Sequence, residues 1–406
     1  MPVLLDTKHR QRQWLQAEKA TFPAIAPRCP YVGRCGGCNL QDLAYEHQLL
    51  LKERFLAQAL QPLGIPSVPV APLADPWRYR NKIELTFGTS QEQLTLGLHA
   101  INSFWRIVDL DDCWLIPEPL ARVMRTVRTW AQATGLPTYD PKRHTGFFRY
   151  LLLRWSHATQ QILVCLITSP GPREAVAPLA ASLSQTHPDV TSFYWGVSAK
   201  LADIAVPDEL VLLAGQPYLR ERVGPFDVDL HPLSFFQPNL AQAERIYETL
   251  EAWVRARGVR SAWDLYAGMG LIAFYLSRVA SAVLCVESEP QNVQLLQHNA
   301  ALNRLQGLTC RADRTEEYLR YLGSTLPTPD CIVVDPPRSG LHKHVIRALA
   351  QHATPCLIYL SCNPTALVAD LQALRSLVPS YRLTAAQAFD MFPHTAHLET
   401  LVCLER

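Results

Sequence analysis

No uninterrupted apolar run in this chain approaches the roughly 18 to 20 residues that a membrane-crossing helix needs. The opening M-P-V-L-L-D-T-K-H-R has no apolar stretch of the kind a secretory leader carries. These absences predict a soluble, cytoplasmic protein with no membrane partner. An excess of one charge sign is also missing: 38 Lys and Arg stand against 36 Asp and Glu, a net charge of +2. That excludes a polycationic tail but not a local basic face for nucleic acid. There is no internal repeat and no low-complexity tract. With 48% hydrophobic and 18% charged residues the chain can bury large cores, which excludes global disorder. At 406 residues it is too long for one ordinary domain.

What the chain does have is cysteine, eleven in all. In a cytosolic protein they do not read as a disulfide framework. Cys165, Cys285, Cys331, Cys356 and Cys403 lie inside apolar runs and read as buried strand residues. Cys29, Cys35 and Cys38 cluster instead, in C-P-Y-V-G-R-C-G-G-C, with glycines that let the thiolates converge. Three soft ligands need a fourth, and Cys113 in D-L-D-D-C-W is the nearest later candidate. Four thiolates suit zinc or an iron–sulfur cluster. The second C-x-x-C pair usual in structural zinc sites is lacking, which favours the cluster. The spacing also differs from the C-x3-C-x2-C of radical enzymes that cleave S-adenosylmethionine.

Three segments are expected. Residues 1–74 comprise a loosely attached arm, the cysteine cluster, a leucine-spaced helix over 45–60 and a linker marked by Pro62, Pro66, Pro69 and Pro72. Residues 75–230 show short alternating runs such as K-I-E-L-T-F from Lys82 and Y-L-L-L-R-W from Tyr150, with one helix near 118–133. This predicts a compact α+β domain. Residues 231–406 repeat strand, loop and helix, which predicts an α/β domain with a mostly parallel sheet and helices on both faces. Ligands bind outside the carboxyl ends of such strands, where Asp264, Glu287, Asp335 and Cys362 converge.

D-L-Y-A-G-M-G, from Asp264 to Gly270, is a strand, a pair of glycines and the start of a helix, a shape that lets a cofactor approach the backbone. Glu287, at the end of the next strand, stands where a ribose diol is held. The third glycine of the dinucleotide fingerprint is missing, which favours S-adenosylmethionine over NAD or FAD. Asp313, after the third strand, is a candidate adenine contact or a solvated loop acid. In Y-L-S-C-N-P, Asn363 suits an N-cap and Pro364 the first helical position. Cys362 then sits just ahead of a helix N-terminus, where the dipole should favour thiolate, and is either a nucleophile or an inert strand-end cysteine.

Taken together, these motifs resemble the RNA uracil-5-methyltransferases, specifically the iron–sulfur branch that acts on 23S ribosomal RNA. Cys29, Cys35, Cys38 and Cys113 resemble its cluster ligands, and W-R-Y-R-N-K from Trp77 the start of its central domain. S-F-F-Q-P-N from Ser234, D-L-Y-A-G-M-G, D-P-P-R-S-G-L from Asp335, L-S-C-N-P from Leu360 and H-T-A-H-L-E-T from His394 follow in the family's order. The resemblance implies a class I, Rossmann-like methyltransferase domain beside an α+β RNA-binding domain and an N-terminal iron–sulfur segment holding a 4Fe–4S cluster, zinc being the alternative. It implies Cys362 as nucleophile toward C6 of uracil and Glu399 as the base that removes the C5 proton. Gln237, Tyr266, Glu287, Asp313 and Asp335 would bind S-adenosylmethionine. Leu271 stands where the family often has Asn or Thr, so a contact to the methionine end is not expected from it.

The residues before Cys29 are too few for the TRAM domain of some relatives, so the grip on RNA is expected from the central domain, in a monomer. Arg78, Arg80, Lys82, Lys142, Arg143, His144, Arg149 and Arg154 interleave there with Trp77, Tyr79, Phe147, Phe148, Tyr150 and Trp155. Basic residues among aromatics suit backbone contact and base stacking, though ordinary strands share that composition. Two other readings compete: the same chemistry on the T-loop uridine of transfer RNA, and a non-catalytic zinc-dependent RNA-binding protein. Amino-group methylation of a base is disfavoured, because D-P-P-R replaces the N-P-P-Y or D-P-P-Y of that chemistry.

Overall fold

The computed structural model describes residues 8–65, 68–321 and 325–406. Residues 1–7 of the expected arm and Pro66 of the expected linker lie outside them. The contacts divide the chain into two units, one of Met1–Ile25, Leu43–Ala74 and Ala241–Arg406, the other of Ala26–Asp42 and Asp75–Leu240. Among the described residues no helix is long and apolar enough to cross a membrane.

The three-part division is thereby corrected. The cysteine segment is built into the central unit, because its backbone is hydrogen-bonded there. Gly36 N–H donates to His99 O at 2.9 Å and Ile101 N–H to Arg34 O at 2.9 Å, and Cys35 bridges Ala100. Residues 231–240 also stay with the central unit, since Asn81 N–H donates to Pro238 O at 2.9 Å and the Arg154 guanidinium to Pro232 O. Nor is the arm loose. Its helix Lys8–Lys19 packs Trp14 on Phe55 with centroids 5.6 Å apart, and Gln11 Nε2 donates to Thr365 Oγ1 at 2.9 Å.

The central unit is a seven-stranded sheet in the order Ile107–Asp109, Gln93–His99, Lys82–Ser90, Phe148–Trp155, Ile162–Thr168, Val190–Val197, Glu209–Gly215. All pairs are antiparallel except Ile162–Thr168 with Val190–Val197. That parallel pair requires a crossover, supplied by the helix Ala177–Thr186. The helix Glu118–Thr134 lays Leu120, Val123, Met124, Val127 and Ala131 against the sheet, a stripe at helical spacing. Leu219–Val223 and Phe226–Leu230 form a separate hairpin.

The other unit is an eight-stranded sheet in the order Val70–Ala71, Arg382–Phe389, Glu399–Glu405, Cys356–Ser361, Cys331–Val334, Ser261–Leu265, Ala282–Glu287, Leu308–Ala312. Only Glu399–Glu405 runs antiparallel to its neighbours. Val/Ile/Leu-rich strands buried on both faces, as in C-I-V-V and C-L-I-Y-L-S, are what a helix-covered parallel sheet requires. Strand order reverses between Ser261–Leu265 and Cys331–Val334, which opens a crevice at their carboxyl ends. This is the doubly wound, Rossmann-like arrangement. Cys285, Cys331, Cys356 and Cys403 lie in the interior of this sheet and Cys165 in that of the central one.

The helix Tyr45–Leu60 packs Leu56 and Leu60 into the same core as Leu367, Leu371 and Leu374 of the helix Pro364–Leu377. Its Tyr45, Gln48 and Lys52, at helical spacing, grip the segment that precedes the last strand. Lys52 Nζ, fully enclosed, pairs with Asp390 and donates to Phe392 O at 3.1 Å. Tyr45 Oη donates to Asp390 Oδ2 at 2.8 Å. His394 N–H donates to Gln48 Oε1 at 2.9 Å. Removing one partner of a buried ion pair strands the other charge. Asp390→Ala is therefore expected to lower unfolding free energy by about 3–5 kcal/mol, read as a fall in the urea midpoint; an unchanged midpoint would show that the pair anchors nothing.

Candidate functional site

Four strand ends build the site. Ser361 pairs with Thr400 across the antiparallel ladder, so the next position along each strand sets Cys362 beside Glu399. Val334 pairs with Tyr359 and with Leu265, which brings Asp335 and Tyr266 to the same edge. Asn363 caps the helix Pro364–Leu377, its side chain accepting from Thr365 N–H at 3.2 Å. Asn363 Nδ2 also donates to Arg338 O at 2.9 Å. The loop from Asp335 turns at Pro337–Gly340 and is pinned by Leu341 N–H donating to Asp370 Oδ2 at 2.7 Å. Gly340 is required there: at φ +82° a Cβ would stand 2.6 Å from Asp370 Oδ2.

The electrostatics follow from enclosure. Glu399 is 4% exposed, and burial together with the Asp335 carboxylate pushes its pKa far above the ordinary carboxylate range, with Arg338 opposing. Burial pushes Asp335 up to about 7, although its surface retains some exposure. Asp264, fully buried in the strand Ser261–Leu265 two residues before Tyr266, is also raised, by burial and by Asp335. Cys362 is corrected: burial first, then the Glu399 carboxylate, push its thiol up to about 11, and Arg338 offsets only part of this. Burial, with the Glu399 and Asp335 carboxylates adding to it, thus outweighs the favourable helix N-terminus. The arrangement is a coupled set of titrating groups around one thiol.

The glycine loop lies beside this set. Glu287 Oε2 accepts from Gly268 N–H at 2.8 Å and its other oxygen from Glu289 N–H at 2.8 Å, so the carboxylate is held rigidly at the strand end. Gly268 has φ +54° and nothing within 4 Å of a would-be Cβ. This is an open face where a ligand can meet bare backbone. Tyr266 also takes a left-handed conformation, φ +68°, which places its ring on the wall of a cavity of ≈ 700 Å³ with Ser288, Arg314, Thr315, Pro337 and Leu341. Open glycine, fixed acid and adjoining cavity fit S-adenosylmethionine. Asp313 is exposed, its N–H donating to Glu287 O at 2.9 Å, and its neighbours Arg314 and Thr315 line the cavity instead. Leu271 is buried at the start of the helix Leu271–Ser277.

Thus Cys362, Glu399, Asp335, Tyr266, Glu287 and Asp313 share one unit. Gln237 does not: it is buried in the central unit, where its carbonyl accepts from Asn81 Nδ2 at 2.9 Å. Sequence reasoning passed over Arg338, although D-P-P-R contains it, and over Tyr247. The latter is a buried phenol on the helix Leu240–Ala256, raised by burial and by Asp335.

Cys29, Cys35, Cys38 and Cys113 all line one cavity of the central unit, with Gln41, Arg80 and Leu98. Gly37 N–H donates to Cys35 Sγ at 3.4 Å and Gln41 Nε2 to Cys38 Sγ at 3.2 Å. Burial raises all four thiols, Cys38 to about 12 and Cys113 to about 11. Among the described residues no group of three or more His, Cys, Asp or Glu is placed to hold a metal ion.

The expected basic and aromatic RNA face is corrected. Phe148–Trp155 is a central strand buried along its length, so its basic residues must be satisfied internally. Arg149 donates to Ser198 O and Lys200 O, and Arg154 to Pro232 O and Ser234 O. Arg78 makes a bidentate pair with Asp112, and Lys82 pairs with Glu84. Tyr79, Phe147, Phe148, Tyr150 and Trp155 are core. Of that group Lys142, Arg143 and His144 are exposed.

The family model for tRNA (uracil-5-)-methyltransferases matches residues 226–406. A Nitratidesulfovibrio vulgaris protein named as an RNA methyltransferase is 36% identical over 388 residues, covering 93% of this chain and 82% of its own. Another from Caldanaerobacter subterraneus subsp. tengcongensis is 32% identical over 398 residues, covering 96% and 86%. Among solved structures, the Pyrococcus abyssi tRNA (uracil-54, C5)-methyltransferase in complex with S-adenosyl-L-homocysteine matches with a TM-score of 0.73 at 26% identity. It covers 91% of this chain and 86% of that one.

The raised thiol makes a checkable statement. Alkylation of Cys362 by iodoacetamide in the free protein, followed by peptide mass spectrometry, is expected to quicken about tenfold per pH unit from pH 7 to 10 and to trail an ordinary exposed thiol at pH 8. Fast, pH-independent labelling would contradict it.

Proposed function

Since this chain belongs to the S-adenosylmethionine-dependent RNA (uracil-5-)-methyltransferases, we propose that it methylates C5 of a specific uridine in 23S ribosomal RNA through a transient bond from Cys362 to C6. The observation that carries this is the ladder register that sets Cys362 and Glu399 side by side. An aromatic uracil carbon is a poor nucleophile until C6 is saturated. Cys362 Sγ adds to C6, and the electron pair of the C5=C6 bond moves toward C5 and O4. Bound S-adenosylmethionine supplies the methyl group that C5 takes up. Ionised Glu399 then removes the C5 proton, the C5–H pair re-forms C5=C6, and the Cys362–C6 bond breaks.

In this reading Asp335, on the same sheet edge, takes the thiol proton, and Glu399, whose burial raises its pKa, must give up its own proton before it acts as base. The Arg338 guanidinium stabilises both the thiolate and the Glu399 carboxylate. The target base must leave its stack to reach the sulfur. Tyr266, Glu287 and Asp335 hold S-adenosylmethionine in this reading, with Asp313 at its edge.

We further assign Cys29, Cys35, Cys38 and Cys113 to a 4Fe–4S cluster, supported by their shared cavity and the N–H···S contacts. When bound, it would cross-link 26–42 to the Asp112–Cys113 turn through iron–sulfur bonds. The ribosomal target follows from the likeness to the iron–sulfur branch. The P. abyssi match favours a second reading, the T-loop uridine of transfer RNA.

Mass spectrometry of 23S and transfer RNA from a deletion strain separates the two: 5-methyluridine is expected to vanish from 23S RNA alone, and undiminished levels in both would sink the assignment. Glu399→Gln is expected to stay covalently bound to RNA on denaturing gels, with turnover reduced at least a hundredfold, whereas Cys362→Ala should trap nothing. Anaerobically purified protein should be brown, with about four irons per chain, and Cys38→Ser should lose that absorption. Colourless, zinc-loaded protein would overturn the cluster.

A further inference from the structure

The central unit contains a cavity that the methyl-transfer chemistry leaves unused. It measures ≈ 320 Å³, room for one nucleobase. Its floor includes Arg149, 2% exposed, whose guanidinium lies over the Tyr139 ring at 4.0 Å. The terminal nitrogens of Arg149 reach Ser198, Lys200 and Ala202, but its Nε is enclosed without a hydrogen-bond partner. His99 lines the same cavity with Nε2 3.4 Å from Thr86 Oγ1, and its Nδ1 is likewise enclosed and unpartnered.

At the mouth the chemistry changes. Phe104 is 81% exposed and Trp105 59%, both on the turn between Gln93–His99 and Ile107–Asp109. Large rings left this open to water on adjacent residues call for a partner. Lys142 Nζ stands 4.8 Å from the Trp105 ring centroid, and Arg106 and Arg143 are exposed nearby in sequence. Inside, Lys142 and Arg149 are balanced by Asp140 and Asp203. That balance disfavours a phosphate or other anion in the cavity. A neutral planar ligand with a stacking face and hydrogen-bonding edges suits it, and exposed cations suit the charged backbone that would carry such a ligand.

We propose that this cavity takes one unpaired base of the RNA substrate, stacked against Trp105 or Phe104, and so reads a nucleotide other than the uridine attacked by Cys362. None of the lining residues belongs to the unit that carries Cys362. The inference rests on RNA being the substrate, as the family membership states.

The test uses the full chain and transcripts of the methylated RNA region carrying 4-thiouridine. Irradiation should yield cross-linked peptides from 99–106 or 138–150. Trp105→Ala and Phe104→Ala, surface changes that leave the fold intact, should each raise KM for RNA about tenfold, the loss expected for one base–aromatic stack. In both variants kcat at saturating RNA should be unchanged. Wild-type methylation with KM unchanged in both variants and no cross-link in those segments overturns the base pocket and leaves the enzyme reading standing. A wild-type protein that methylates neither RNA overturns the enzyme reading instead; the cross-links, read without turnover, then still decide the pocket.

Discussion

The reacting end of this protein depends on the register of one antiparallel ladder. A one-residue slip between Cys356–Ser361 and Glu399–Glu405 would send Glu399 to the opposite face of the sheet and part it from Cys362. The ladder resists slipping because Leu357, Tyr359, Leu401 and Val402 are buried on both faces, so any shift would exchange side chains between two closely packed cores. Catalytic geometry is thus secured by packing well below the sheet edge. The same burial that fixes the register strips water from the acids at its end, and this, more than any contact between them, raises Glu399 and Asp335.

Raised acids around a raised thiol have a functional logic. A permanent thiolate would be open to oxidation and stray alkylation, whereas a protonated Cys362 becomes nucleophilic only when a neighbour takes its proton. In the proposed reaction Glu399, kept more basic than a solvated carboxylate, would be the stronger base for the C5 proton. Arg338 tempers both shifts. Support for this set comes from distant chain segments: the helix Tyr45–Leu60 holds Asp390 and His394, and Asp370 holds the loop after Asp335.

Much of the fold was legible because its signals are local. The helices Tyr45–Leu60 and Glu118–Thr134 announce themselves by apolar spacing, and the strands ending at Leu265, Glu287, Val334 and Ser361 by short apolar runs followed by turn residues. The Asn363 cap and Pro364 were readable for the same reason. Harder to see were the crossover helix Ala177–Thr186, whose apolar pattern is short, and the role of Tyr45, Gln48 and Lys52. Those three share a helix face, but only the fold supplies Asp390 and His394 as partners. The basic and aromatic residues of Phe148–Trp155 misled, because alternation looks the same whether a strand faces RNA or lies buried between neighbours.

Residue types and their spacing therefore determined the element pattern, the cofactor loop, and which cysteines were candidates for chemistry or metal. Tertiary structure alone decided that Cys29, Cys35 and Cys38 fold with Cys113 into the central unit and that Glu399 stands beside Cys362. It also decided that burial and nearby acids raise the Cys362 thiol and that Arg149 and Arg154 face inward. The physical reason is common to all four. Hydrogen-bonding capacity and helical or strand period belong to a residue and its near neighbours, whereas burial and Coulomb interactions depend on whatever distant segment the fold packs against it.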